Sequence, residues 1–326
     1  MDFPIVRALG FIGFVLAMSS GGTTDAAIKS SSVSELVEDG RAKVNLTLRV
    51  VGRRVDGYHD LESVVAFADC ADRLSLLPGA ELQLKIAGPL AAACGETADN
   101  LVLMAARLLG ERVPGLKVGA FTLDKVLPVA AGIGGGSADA AAALRLLARA
   151  NGLAAGDAHL AEVARLTGAD VPVCVASRAC VMTGVGESLL PLALPKLACV
   201  LVNPRVAVPT KNVFEALGLR NGELLVGATD VIRAVVWPED GATADDWIEA
   251  FASGTNDLEE PARRIQPVIG EVLSALGEAG GARLVRMSGS GATCFAIFDD
   301  ATAAQAAARE IQLAHPGWWV HAGTLS

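Results

Sequence analysis

The sequence feature that most constrains the fold is a run of four glycines within six residues, GIGGGS at positions 132–137 (the glycine loop). It follows an apolar segment at about 117–126 that predicts a strand, and it precedes an alanine- and leucine-rich segment that predicts a helix ending at Gly152. Glycines let the backbone approach a ligand closely, and the unpaired N–H groups of a first helical turn attract anions. The loop therefore predicts a phosphate site, with Ser137 near the helix N-cap. A tight turn without a ligand is the alternative, although one or two glycines would suffice for it.

Several other site patterns are absent from the sequence. No Gly-Lys-Ser/Thr follows the glycines, so this is not a Walker A loop, and Ser137 occupies the place of the third glycine in a dinucleotide-binding GxGxxG motif. Neither HExxH nor GxSxG occurs, and the four histidines lie far apart in the sequence. Serine hydrolysis and a zinc site therefore have little support, and the metal ligands stay unknown.

Hydrophobic periodicity predicts the remaining elements. Val44, Leu46, Leu48 and Val50 alternate with polar residues, which is typical of a strand with one buried face. The other elements expected in the first half are strands near 61–67 and 82–86, a helix capped by Asp99 or Asn100 that runs to about 110, and a helix at 157–167. In the second half we expect strands at 198–203, 283–287, 293–298 and 318–323, and helices after Pro209 and at about 229–236, 243–253, 261–278 and 301–311.

The second half has the order strand, helix, strand, strand, helix, strand, which is the split βαβ arrangement of ferredoxin-like domains with additional helices. Strands and helices are mixed rather than strictly alternating, so the fold class is α+β. We expect a first domain at 39–194, which carries the glycine loop, and a second at 195–326. Pro191 and Pro195 flank the predicted boundary.

Composition limits the partners and the compartment. The 326 residues carry a net charge of −9, which disfavours a basic nucleic-acid surface but permits a local cationic site. Six cysteines are scattered without a CxxC pair, as expected for reduced thiols in the cytoplasm. We expect a small-molecule partner, no nucleic acid and no membrane. The oligomeric state, monomer or homodimer, stays open.

The N-terminal segment does not resemble a packed domain. Residues 3–18 are mostly apolar, but they are too few for a transmembrane helix, and a proline, an arginine and two glycines interrupt them. A signal peptide is a second interpretation, although the segment before its apolar core is hardly basic. The interpretation we favour is a start codon assigned too far upstream, or a dispensable extension. Residues 1–38 are therefore expected to lie outside the fold.

Five polar residues outside the glycine loop carry candidate chemistry, although none is specific alone. Asp170 stands two residues before a proline, a pattern that favours a helix N-cap. Lys43 and Asn45 share the polar face of the first strand, where a lysine is usually solvated. Tyr58, the only tyrosine of the chain, and His59 belong to a predicted turn.

These residues acquire a common meaning through a resemblance. Three segments resemble the motifs of the GHMP kinase superfamily, namely PVAAGIGGGSA at 128–138, AKVNL at 42–46 and SGSGA at 288–292. GRRVDGYHDLESV and GADVPVCV are similar to the branch that acts on 4-diphosphocytidyl-2-C-methyl-D-erythritol. The resemblance covers about 38 to 326. It implies an N-terminal domain like ribosomal protein S5, a ferredoxin-like C-terminal domain, and ATP-dependent phosphorylation of the 2-hydroxyl of that substrate in non-mevalonate isoprenoid biosynthesis.

The resemblance also implies roles for individual residues. Asp170 matches the base that accepts the proton of the substrate hydroxyl, and Lys43 matches the lysine whose charge holds this aspartate ionised. The residues that match substrate contacts are Asn45, Tyr58, His59, Thr210 and Phe214, with Tyr58 and Phe214 on opposite faces of the cytosine. The residues that match the ATP loop are Pro128, Val129, Ala130, Ala131, Gly132, Ile133, Gly134, Gly135, Gly136, Ser137 and Ala138. Mg²⁺ is expected to arrive with ATP.

One departure and two alternatives accompany this hypothesis. Ala138 stands where the family usually has a second serine, which removes one hydroxyl from the loop. The first alternative is another GHMP kinase, acting on mevalonate or homoserine, but those substrates offer no base for the aromatic side chains to stack on. The second is a nucleotide-binding relative without catalysis, although Lys43 and Asp170 are both present.

Overall fold

The computed structural model describes residues 34–225, 237–239 and 241–326. The contacts of the described chain form one unit, Ser34–Ser326. Most of the predicted extension and the helix expected at 229–236 lie outside the described residues.

The strands are β1 (Leu36–Asn45), β2 (Arg49–Arg53), β3 (His59–Gly79), β4 (Gln83–Ala87), β5 (Val118–Asp124), β6 (Cys180–Gly184), β7 (Ser188–Pro191), β8 (Leu197–Asn203), β9 (Ala282–Met287), β10 (Cys294–Phe298) and β11 (Trp319–Leu325). The α-helices are α1 (Leu101–Arg112), α2 (Gly135–Asn151), α3 (Ala158–Thr167), α4 (Val171–Ala176), α5 (Thr210–Ala216), α6 (Ala244–Ala252), α7 (Glu259–Ile265), α8 (Val268–Glu278) and α9 (Ala301–Ala314). None of these helices combines the length and the apolar character that crossing a bilayer requires.

The long strand β3 organises the first half of the chain. It pairs in antiparallel register with β1, β2, β5 and β6, while β4 runs parallel to β5. Helices α1 to α4 bury their apolar faces against these strands in one hydrophobic cluster, in which Phe67, Phe121 and Leu144 are almost fully buried. This packing places the N-terminus of α2, and with it the glycine loop, at one end of β1.

The second half forms an antiparallel sheet in the order β11-β8-β10-β9. Numbered along this half alone, the order is 4-1-3-2, which agrees with the split βαβ arrangement predicted from the sequence. Helices α8 and α9 pack on this sheet through a second cluster. Leu325 of β11 pairs with Ala68 of β3, so the two strand systems are hydrogen-bonded to each other. The division at 194/195 stays a prediction.

Several predicted elements are confirmed. Asn100 caps α1 through its side chain, which accepts the N–H of Val102 at 2.9 Å, and Gly152 is the C-cap of α2. Two details within these elements differ from the expectation. The alternating segment 42–50 belongs to two strands, because the chain leaves β1 at Asn45 and reaches β2 only at Arg49. Pro267 divides the long helix expected at 261–278.

Three further differences concern the ends of elements. Strand β3 runs from His59 to Gly79, although the strand was expected near 61–67 and His59 in a turn, because it continues past Phe67 to pair with β5. Strand β1 begins at Leu36, inside the segment 1–38 that was expected to lie outside the fold, because its first residues pair with β3 around Leu76. Helix α2 begins at Gly135 with Gly134 as N-cap, so Ser137 lies within the first helical turn rather than at the cap. Strands β6 and β7 were not predicted from the sequence.

Candidate active site

At two positions of the glycine loop, the backbone has a conformation that only glycine adopts easily. Gly132 and Gly134 have φ of 75° and 63°, in the left-handed region. A methyl group on Gly132 would overlap the carbonyl oxygen of Ser288, and one on Gly134 would lie 3.2 Å from Cε of Lys43. The loop therefore packs directly against the SGSGA segment on one side and against Lys43 on the other.

Hydrogen bonds from two parts of the chain hold three consecutive carbonyl oxygens where the chain enters the glycine loop. Thr293 N–H donates to Ala131 O at 3.0 Å, the Ser288 hydroxyl donates to Gly132 O at 3.0 Å, and Lys43 N–H donates to Ile133 O at 2.9 Å. The side chain of Ile133 is fully buried in the core below. Because α2 begins immediately afterwards, the N–H groups of its first turn have no partner within the helix. This arrangement fits the binding of phosphate oxygens.

Lys43 and Asp170 form an ion pair beside the loop. Nζ of Lys43 lies 3.0 Å from Oδ2 of Asp170 and donates to Oδ1 of Asn45 at 3.0 Å. The Lys43 side chain is only 4% exposed, whereas that of Asp170 is 36% exposed. Asp170 does occupy the N-cap position of α4, but its side chain makes no capping hydrogen bond. Its carboxylate is therefore available to the cleft.

Asn45 connects this ion pair to the rest of the site. Its side-chain amide donates to the Ser63 hydroxyl at 2.7 Å, and its backbone N–H donates to the Ser288 hydroxyl at 3.0 Å. Asn45 and Lys43 are both buried, although the sequence places them on the polar face of a half-buried strand. The reason is that the SGSGA segment and the glycine loop cover this end of β1.

A cleft of about 410 Å³ is lined by Lys43, Asn45, Asp170 and most of the glycine loop. It also contains Thr210 and Ser290, whose hydroxyl groups lie 2.8 Å apart. A neighbouring cavity of about 440 Å³ contains Tyr58, His59 and Arg53. The two cavities share four residues, namely Leu61, Ala169, Val185 and Phe214. A ligand with two separated recognition elements can therefore occupy both.

The aromatic cavity differs in one respect from a simple two-ring clamp. His59 itself stacks on Phe214, with ring centroids 4.4 Å apart and an interplanar angle of 27°. Tyr58 lies on the rim with 60% of its surface exposed. Nε2 of His59 is buried without a hydrogen-bond partner among the described residues. Burial and the positive charge of Arg53 lower the pKa of His59, so its ring is neutral at pH 7.

The structure thus brings together most of the predicted residues. Those that line the main cleft are Lys43, Asn45, Ala130, Ala131, Gly132, Gly134, Gly135, Gly136, Ser137, Asp170, Thr210 and Phe214. Pro128, Val129, Ile133 and Ala138 do not line it, and the last two are buried behind the loop. Ser63, which accepts from Asn45, was not predicted as a site residue, because a serine next to Glu62 in a strand has no distinctive pattern.

Comparison with known proteins identifies the family. Family models described as GHMP kinases N terminal domain and GHMP kinases C terminal match residues 100–178 and 239–316. The 4-diphosphocytidyl-2-C-methyl-D-erythritol kinase of Bradyrhizobium diazoefficiens is 71% identical over 296 residues, 91% of this chain and 100% of that protein. The chain belongs to the 4-diphosphocytidyl-2-C-methyl-D-erythritol kinase family of the GHMP kinases. A family member from Rhodopseudomonas palustris (strain BisB18) is 69% identical over 90% of this chain and 96% of its own length.

Solved structures agree with this assignment. The crystal structure of a 4-(cytidine 5'-diphospho)-2C-methyl-D-erythritol kinase has a TM-score of 0.67 at 34% identity and covers 89% of this chain and 99% of its own. A homoserine kinase from Cytophaga hutchinsonii has a TM-score of 0.64 at 17% identity over 89% of this chain and 95% of its own, which shows the fold alone. The predicted resemblance and the α+β GHMP kinase fold are confirmed.

Proposed function

We propose that this family member transfers the γ-phosphoryl group of ATP to the 2-hydroxyl of 4-diphosphocytidyl-2-C-methyl-D-erythritol, a step in non-mevalonate formation of isopentenyl diphosphate. The observation that carries the proposal is the position of the Lys43–Asp170 ion pair. It lies between the glycine loop and the aromatic cavity, and its two side chains are 3.0 Å apart. A phosphate donor on one side and a cytidine-bearing acceptor on the other would meet at this pair.

The chemistry assigned to the pair is direct transfer. The substrate hydroxyl oxygen forms a bond to the γ-phosphorus, the bond from this phosphorus to the β–γ bridging oxygen breaks, and ADP leaves. Asp170 accepts the hydroxyl proton, a role that its partly exposed carboxylate can perform from the cleft. The Lys43 ammonium places positive charge beside the oxygens on which negative charge accumulates.

The glycine loop supplies the other electrostatic contribution. Backbone N–H groups at the start of α2 would donate to the phosphate oxygens, and they are already held in place by the bonds to Ala131 O, Gly132 O and Ile133 O. Among the described residues, no three His, Cys, Asp or Glu side chains form a group that could hold a metal ion. Proteins usually hold Mg²⁺ through one or two carboxylates and the phosphates of the substrate, so in this proposal Mg²⁺ enters with ATP and neutralises the charge of its phosphates.

The aromatic cavity supplies the specificity in this proposal. Tyr58 offers an exposed ring face for the cytosine. His59 lines the same cavity, and its Nε2, which has no partner among the described residues, is the atom proposed to hydrogen-bond the polar edge of the base. Stacking contributes about 1–3 kcal/mol per base. Whether Tyr58 and Phe214 take opposite faces of the base stays a prediction, because one face of Phe214 is covered by His59.

All six cysteines are free thiols, which supports a reducing compartment, and we propose the cytoplasm.

The experiment that tests the proposal is ADP release from Mg·ATP with the cytidyl substrate, mevalonate and homoserine in parallel. Turnover with the cytidyl compound alone is expected. Turnover only with mevalonate or homoserine would favour a different GHMP kinase and remove the argument from the aromatic cavity. Nucleotide binding without turnover of any of the three would favour a non-catalytic relative.

A further inference from the structure

A buried ionic cluster lies directly behind the glycine loop and has no part in the site described so far. Lys125 follows the last residue of β5, and its Nζ donates to Oδ2 of Asp72 at 2.5 Å and to Oδ2 of Asp139 at 2.7 Å. The three residues are 0% to 3% exposed. None of them lines the main cleft.

The cluster joins the two ends of the glycine loop. Oδ1 of Asp72 accepts the backbone N–H groups of Val126 and Leu127, at 2.7 and 2.9 Å, so it holds the segment that leads into the loop. Asp139 belongs to α2, two residues after the loop ends. Lys125 connects the two carboxyl groups.

The ammonium group also lies immediately behind the first turn of α2. A methyl group on Gly135, the first residue of this helix, would be 3.3 Å from Nζ of Lys125. Strand β1 packs closely against Asp139. A methyl group on Gly40 of this strand would lie only 2.8 Å from Oδ1 of Asp139. The first turn of α2, whose N–H groups are proposed to bind phosphate, therefore packs against these three charged side chains.

The cluster buries more acidic than basic groups, and one buried oxygen goes unused, which argues against a purely stabilising role. One ammonium faces two carboxyl groups, and Oδ1 of Asp139 is buried without a hydrogen-bond partner among the described residues. Burial raises the pKa of Asp139 to about 7 despite the pull of Lys125, and Asp72 adds to the rise. Burial acts to lower the pKa of Lys125, but the two carboxyl groups outweigh it and the pKa is raised. Buried ionic groups of this kind are often no more stabilising than apolar residues of equal volume.

We propose that Lys125, Asp72 and Asp139 are positioning residues that fix both ends of the glycine loop and so set the affinity of the chain for ATP, without touching either substrate. This inference rests on the proposed function, since it assumes that the loop binds the phosphates of ATP.

The two aspartates allow a sharp test, because they use their oxygens differently. Asp72 accepts hydrogen bonds at both oxygens, so Asp72→Asn must either direct its amide N–H₂ at Lys125 or give up the two backbone N–H groups. Among the described residues, Asp139 accepts a hydrogen bond only at Oδ2, and an amide oxygen can replace that acceptor. We expect Asp72→Asn to weaken ATP binding by at least about tenfold, and Asp139→Asn to stay within about fivefold of wild type.

The measurement is the dissociation constant of Mg·ATP by isothermal titration calorimetry on the full chain, together with KM for ATP and for the cytidyl substrate. For Asp72→Asn we expect KM for ATP to follow the dissociation constant, while KM for the cytidyl substrate changes by less than about twofold. The control is Leu147→Ala, a fully buried position on the same helix and eight residues beyond Asp139. It should lower the free energy of unfolding and leave ATP binding unchanged.

Three results would overturn the inference. These are wild-type ATP affinity in a folded Asp72→Asn variant, equal losses for Asp72→Asn and Asp139→Asn, and an equal loss for Leu147→Ala. If Asp72→Asn does not fold, Asp139→Ala carries the test, because it removes the helix's acceptor for Lys125. Binding at least about tenfold weaker is expected there, and unchanged binding contradicts the inference. A wild-type chain that neither binds ATP nor releases ADP would instead refute the proposed function, and the positioning role with it.

Discussion

Replacing Asp170 by asparagine tests the central ion pair with the smallest change of shape. The amide keeps the size of the carboxylate but loses its charge and its ability to accept a proton at neutral pH. Lys43, which is only 4% exposed, then retains Oδ1 of Asn45 at 3.0 Å as its acceptor. The glycine loop keeps its own bonds to Lys43 N–H, Ser288 and Thr293. Asp170→Asn should therefore affect catalysis much more than nucleotide binding.

The magnitudes follow from the geometry. A positioned general base contributes about 10²- to 10⁴-fold, so kcat should fall by that factor, which corresponds to about 3–5 kcal/mol of transition-state stabilisation. Breaking a fully buried ion pair costs about 3–5 kcal/mol of stability. Asp170 is 36% exposed and Lys43 keeps Asn45, so we expect a loss of about 1–2 kcal/mol. The dissociation constant of ATP should change by less than about threefold.

The assay combines coupled ADP release with ATP titration calorimetry and urea unfolding of the same preparation. A matched control is Asp157→Asn, since Asp157 is also a helix N-cap and accepts the N–H of His159 at 2.8 Å. Asparagine caps helices as well as aspartate does, so this variant should keep wild-type kcat. A kcat for Asp170→Asn within about threefold of wild type would refute the base assignment, because a proton acceptor contributes at least about 10²-fold.

Three further predictions concern the cleft and the aromatic cavity. Tyr58→Ala should raise KM for the cytidyl substrate by about tenfold and leave KM for ATP unchanged, whereas Val55→Ala, an exposed neighbour in the same turn, should change neither in steady-state assays. Gly134→Ala should lower stability in urea by about 1–2 kcal/mol, because φ is 63°, and should also lower kcat, because the methyl group would press on Cε of Lys43. Burial and Arg53 lower the pKa of His59 in the folded chain below the ordinary histidine pKa of about 6.5. The stability that depends on the neutral ring is therefore fully present above pH 6.5, and it is lost as the pH falls through the lower folded-state pKa. KM for the cytidyl substrate should therefore be constant from pH 7 upward and should rise in that acidic range.

Each of these three has a clear contradictory result. Equal increases of both KM values for Tyr58→Ala would mean that the cytidine does not occupy the aromatic cavity. Wild-type kcat and stability for Gly134→Ala would mean that the loop does not pack on Lys43 as described. An acidic rise of KM that persists in His59→Gln would assign the titration to another group.

Local sequence patterns predicted the parts of the site that depend on neighbouring residues in the chain. The glycines at 132–137 require a tight strand-to-helix connection, and Asn100 and Gly152 mark helix ends by their own chemistry. The roles of Lys43 and Asp170 could be predicted only through the resemblance, because a lysine on a strand and an aspartate before a helix have ordinary structural explanations. In the structure these two side chains form an ion pair, which neither ordinary explanation predicts.

The buried cluster behind the loop could not be predicted in this way. Asp72, Lys125 and Asp139 lie on β3, after β5 and on α2, and no periodic pattern links positions that meet only through the sheet. The start of β1 was placed too late for a similar reason. Glu38 pairs with Arg145 and Arg149, which are more than 100 residues away, and the register shifts between Arg41 and Lys43, so the alternation does not extend back to Leu36.

Identification of the product by ³¹P and carbon-correlated NMR tests the proposed reaction directly. The full chain would be incubated with Mg·ATP and 4-diphosphocytidyl-2-C-methyl-D-erythritol. We expect ADP and one new phosphomonoester signal, coupled to the carbon that bears the 2-hydroxyl, and neither with Asp170→Asn on the same timescale. A phosphomonoester at another hydroxyl, or ADP and free phosphate without a phosphorylated alcohol, would contradict the proposed placement of the substrate between the glycine loop and the aromatic cavity.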